Sequence, residues 1–88
     1  MSAPLAQCEG YQVLAYDGLV GDVERPLFPP DGNEPDYLVV RVRGRIRGRV
    51  PVVSTALVLA IDSARRLIWV RGYRDRIAGL PEHVPLAI

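Results

Sequence analysis

At 88 residues the chain has room for one domain and one modest core, since proteins of this size bury only about 60 to 65% of the surface their unfolded form exposes. Hydrophobic residues make up 49% of it and charged residues 24%, which excludes the apolar-poor, charge-rich profile of intrinsic disorder. The formal charge of +1 excludes a bulk electrostatic pull toward nucleic acid or anionic lipid, so any such binding must come from a local patch.

Met1 to Gly10 has neither the basic region nor the apolar run of a signal peptide. Cys8 is the only cysteine, so no intramolecular disulfide can form and a cytoplasmic location is expected. Six strands follow, marked by runs of β-branched and aromatic residues between turn residues. The pattern predicts them at about Tyr11 to Tyr16, Leu19 to Arg25, Tyr37 to Arg43, Ile46 to Val52, Ala56 to Ile61 and Arg66 to Arg71. Asp17-Gly18 suits a type I′ hairpin turn between the first two. Residues 26–35 hold four prolines and an Asp-Gly-Asn turn signal, and are expected to form a proline-rich loop.

A further turn is expected at Asp62 to Arg65. One short helix is predicted at Tyr73 to Ala78, closed by Gly79 as a left-handed cap and by Pro81. An apolar tail, residues 81–88, carries Val84, Leu86 and Ile88 at alternating positions. The longest apolar stretch, Val50 to Ile61, is interrupted by Pro51, Ser54 and Thr55 and falls short of the roughly 20 residues of a membrane helix, so no membrane insertion is expected. The expected fold is all-β: one domain over residues 1–88, a small six-stranded β-barrel with its core at about 11–84 and one short C-terminal helix. Closing the sheet hides the strand edges.

The order Gly21-Asp22, Tyr37-Leu38-Val39-Val40, Val50-Pro51, Ile68-Trp69-Val70 and Leu80-Pro81 resembles the PRC-barrel family over roughly Val13 to Val84. That family includes the photosynthetic reaction-centre H subunit, the C-terminal domain of ribosome-maturation factors and small stand-alone proteins. The resemblance implies a six-stranded barrel and a non-enzymatic module that docks onto other proteins, with no shared catalytic residues. Its first functional implication is therefore a protein-binding adaptor. The alternative is an RNA-processing or ribosome-assembly factor, for which the chain offers no counterpart of the N-terminal domain found in those factors.

No catalytic, metal or cofactor residues are expected. His83 and Cys8 alone cannot supply a zinc site, and Ser54 and Ser63 lack a nucleophile-elbow context. Gly44 and Gly48 lie between strands and not at a strand-to-helix phosphate loop. His83 reads as an exposed tail residue, and Cys8 as a small, half-buried one.

Two features point to binding. Arg41, Arg43, Arg45, Arg47 and Arg49 occupy every second position, so strand periodicity and a turn near Gly44 would gather them into a basic patch for phosphate or an acidic partner. The plainer reading is a solvated outer face neutralised by Asp22, Glu24 and Asp36. The second feature is that the last two strands are apolar on both faces. Leu57, Leu59, Leu67 and Trp69 then mark a self-association surface, most simply in a homodimer, unless the C-terminal tail covers it.

Overall fold

The computed structural model describes residues 4–44 and 48–84. Six strands run β1 (Gln12–Ala15), β2 (Gly18–Leu27), β3 (Tyr37–Val42), β4 (Val52–Ser54), β5 (Val58–Asp62) and β6 (Leu67–Val70), followed by the helix α1 (Arg74–Ala78). They form one sheet in the order β4-β3-β2-β1-β6-β5. Every neighbouring pair is antiparallel except β1 and β6, which run parallel. A 3-10 turn at Thr55–Leu57 links the two edge strands, β4 and β5, and so brings both edges to one corner. The fold is thus the expected mostly β, six-stranded one with a single short helix, but its hydrogen-bond ladder is not closed between β4 and β5.

Curvature comes from three irregularities. The register slips by one residue in β2 opposite Val13/Leu14, again in β2 between Val23 and Arg25, and in β5 between Val58 and Ala60. Each bulge bends its strand and increases the local twist. Short, curled strands can then turn one face inward: Val13 and Ala15, Val20 and Val23, Leu38, Val40 and Val42, Val53, and Ile68 and Val70 form the core. Cys8 and the α1 residues Ile77 and Ala78 join it, with Leu57, Val58 and Ile61 packed against it. At Gly21 the β2 and β3 backbones approach so closely that any Cβ would collide with the Arg41 carbonyl.

Several local expectations need correction. The β1–β2 connection is made by Tyr16 and Asp17, with Ala15 paired to Gly18, and Gly18 takes the positive φ of 128° as the first strand residue. Asp17 keeps a negative φ, which excludes type I′. Strand β2 runs on through Pro26 to Leu27, so the proline-rich loop starts at Phe28. Past Val23 the β1 side of β2 has no ladder partner, and the missing N–H of Pro26 costs nothing there.

Among the described residues the fourth strand is Val52–Ser54: of the expected Ile46 to Val52, Gly48 to Pro51 lie before it, and Ile46 and Arg47 lie outside the described residues. Before it, the backbone carbonyls of Arg49 and Pro51 accept from Val42 N–H and Val40 N–H at 3.0 Å each, while Pro51 has no N–H to donate to the ladder. Ala56 and Leu57 belong to the 3-10 turn, which the Ser54 hydroxyl caps by accepting from Ala56 N–H at 3.2 Å. Gly79 closes α1 at φ −88°, a right-handed conformation, and not as a left-handed cap.

Candidate functional site

The chain doubles back after β3, and Val42 and Arg49 face each other across the hairpin. Arg45, Ile46 and Arg47 lie outside the described residues. Arg41 on β3 and Arg43 just past its end point outward, with side chains 64% and 62% exposed. Arg41 Nη2 sits 2.6 Å from Glu24 Oε1, and Arg43 Nε sits 2.5 Å from Asp22 Oδ2. The register explains these pairs, since β2 lies beside β3 with Asp22 opposite Arg41. Asp36 makes no ion pair among the described residues.

Two arginines are thus balanced by two carboxylates on the neighbouring strand, which reduces the local field. Each guanidinium nevertheless has several N–H donors and uses only part of that capacity here. Arg41, Val42, Arg43, Gly44, Gly48 and Val50 line an open depression in which those donors remain accessible. Arg49 has a different environment: its Nε donates to the Ala78 carbonyl at 2.8 Å and its Nη2 to the Leu80 carbonyl at 2.9 Å, at the end of α1.

The residues singled out for self-association fall in two groups. Leu59 sits at the β5 bulge and is 50% exposed, while Leu67 and Trp69 are half-buried on the outer side of β6. Leu14 and Leu19 extend this apolar surface, because Leu14 pairs with both Trp69 and Leu19. Leu57 packs against the core instead, since the 3-10 turn and the bulge break the alternation that put it on one face with Leu59. The tail residues Pro81 to Val84 run elsewhere: Pro81 accepts from Val52 N–H at 2.8 Å, Glu82 Oε1 accepts from Val50 N–H at 2.7 Å, and Val84 faces Leu27, Val39 and Val52. Leu86 and Ile88 lie outside the described residues.

His83 is exposed beside that cleft. Cys8 is fully buried, its thiol donating to the Leu5 carbonyl at 3.1 Å, and burial pushes its pKa up to about 11, far from a nucleophilic thiolate.

One juxtaposition had no signal in the sequence. Tyr16, in the β1–β2 turn, and Tyr73, just before α1, meet edge to face with ring centroids 5.4 Å apart and an 82° interplanar angle. Their rings lie in an exposed setting, the residues being 56% and 60% accessible. Tyr16 N–H donates to Gly72 O and Arg74 N–H to Asp17 Oδ1, both at 2.8 Å, which fastens one loop to the other. The Arg74 N–H bond first, and the Arg74 side chain in addition, hold the Asp17 carboxyl below the usual carboxylate range. Tyrosines this distant in the chain show no periodicity that would pair them.

No helix among the described residues is long and apolar enough to cross a membrane. No family model and no curated protein matches the chain. Among solved structures it is similar to a protein from Pseudomonas aeruginosa described as a 16S ribosomal RNA processing protein, RimM, with a TM-score of 0.61 and 26% identity over 78% of this chain. The match takes in 43% of that protein, so the chain spans less than half of RimM's length and shares its fold over that part.

Proposed function

We propose that this chain is a non-catalytic binding domain that takes part in ribosomal RNA processing or ribosome assembly. The observation that carries this reading is the likeness to RimM, at 26% identity over 78% of the chain. The PRC-barrel resemblance of the sequence agrees with it, because that family includes domains of ribosome-maturation factors. Together they move the ribosomal reading ahead of the free-standing protein adaptor that the sequence alone puts first. Arg41 and Arg43, with Arg45 and Arg47, are the phosphate-contacting side chains in this reading, and Arg49 secures the chain behind α1. A ribosomal target fits a cytoplasmic location and needs no cofactor.

A second reading, a protein adaptor that also pairs with itself, is favoured by the apolar outer surface at Leu59, Leu67 and Trp69. The two readings separate in a sedimentation experiment on a lysate of the native host. Co-migration of the tagged chain with ribosomal particles, lost at high salt, supports the RNA-processing role. Migration only with protein complexes free of ribosomal RNA supports the adaptor.

A further inference from the structure

We propose that Tyr16 and Tyr73 form a stacking platform for unpaired RNA bases, with Arg71, two residues before Tyr73 in the chain, to meet the backbone phosphates. The inference rests on the ribosomal RNA reading above and adds to it a second contact surface, distinct from the arginine hairpin. Aromatic rings are ordinarily among the most burial-prone parts of a small domain, because their large apolar faces gain most by leaving water. Here two of them meet at the surface, each more than half exposed. Their edge-to-face contact fixes the rings relative to each other, and the bonds from Tyr16 to Gly72 and from Asp17 to Arg74 fix the backbones that carry them. A platform ordered in advance loses little side-chain freedom when a base arrives.

The charges around the pair select the ligand. Along the chain Arg71 precedes Tyr73 by two residues, and Arg76 follows it by three, on α1. Arg71 and Arg76 are exposed and make no ion pair among the described residues. Of the two nearby carboxylates, Asp17 is matched by Arg74, whose Nε lies 3.4 Å away, and Asp75 sits on α1. Exposed rings with exposed arginines on either side of Tyr73 in the chain suit a strand with open base faces and an anionic backbone better than an apolar peptide. A duplex, with its bases already stacked, offers the rings nothing.

Anisotropy titrations with a short labelled single-stranded RNA of mixed sequence, and with the same sequence fully paired, test the platform. The proteins are the wild type, the double variants Tyr16→Leu with Tyr73→Leu and Tyr16→Phe with Tyr73→Phe, and the single variant Tyr73→Leu. The side chain of Tyr73 makes no capping bond to α1, so this single variant tests the platform even if the double variant unfolds. The expected result is a loss of roughly tenfold in single-strand affinity for the leucine pair, a smaller loss for Tyr73→Leu, retention by the phenylalanine pair, and no change in duplex binding. Folded leucine variants that bind single strands like the wild type overturn the platform while leaving the ribosomal reading standing. A phenylalanine pair as weak as the leucine pair shows hydroxyl bonding and also overturns it. A wild type that binds neither RNA removes the platform together with the reading beneath it.

Discussion

Arg49 holds the end of α1 in place through Ala78, 29 positions away, its Nε donating to the Ala78 carbonyl at 2.8 Å while Nη2 reaches Leu80. Carbonyls at a helix C-terminus lack intrahelical donors, and a cation there satisfies them and complements the helix dipole. Arg49→Gln is therefore expected to destabilise the fold by about 1 to 3 kcal/mol in urea melts. Arg41→Gln and Arg43→Gln, which break exposed pairs, should each cost no more than about 1 kcal/mol. Equal costs at all three positions would contradict the separate role of Arg49.

Gly21 and Gly44 test backbone approach against backbone conformation. Gly21→Ala must push β2 away from the Arg41 carbonyl, and a loss of at least about 2 kcal/mol is expected. Gly44 sits at φ 92° with open space around it, so Gly44→Ala meets only the left-handed strain, about 1 kcal/mol. Thermal melts of both variants check the ranking.

Much of this was legible in the sequence. Short β-branched runs located five of the six strands to within a few residues, because their inward positions at Val13, Leu38, Val40, Ile68 and Val70 follow period two. The failures cluster where backbone rules override side-chain pattern. Pro51 has no N–H for the ladder and β4 begins only at Val52, and Ser54 caps a 3-10 turn through Ala56 and Leu57 where alternation suggested strand. The bulge at Leu59 resets the face of β5, so Val58 and Ile61 both pack inward. The pairing of Arg41 and Arg43 with Glu24 and Asp22 was foreseeable from strand adjacency, whereas the bond of Arg49 to Ala78 and the meeting of Tyr16 with Tyr73 depend on tertiary approach alone.

Cys8 gives a pH-dependent signature. Its folded pKa of about 11 lies above the ordinary thiol value of 9.0, so the native state keeps a proton that the unfolded chain releases. Its contribution to stability is fully present below pH 9 and is lost as pH rises toward 11. Native protein at pH 8 should resist alkylation, and the same protein in denaturant should be alkylated fully. Rapid labelling of the native thiol would contradict its burial.

The outer surface at Leu59, Leu67 and Trp69 predicts self-association as a homodimer, because burying such a patch gains roughly 25 cal/mol for each Å² removed from water. Equilibrium sedimentation of the intact chain should give a mass above that of the monomer at micromolar concentration. Leu59→Lys with Leu67→Lys should return it to the monomer without lowering the melting temperature much, since neither residue is in the core. A monomeric intact chain would remove the dimer.

The most direct test of the ribosomal role is crosslinking of the chain to RNA in its native host, followed by sequencing of the captured RNA. Ribosomal RNA should be the dominant species, with crosslinks depleted when Arg41, Arg43, Arg45 and Arg47 are replaced by Gln. Capture of proteins without ribosomal RNA, from cells in which the chain is abundant, would contradict the account.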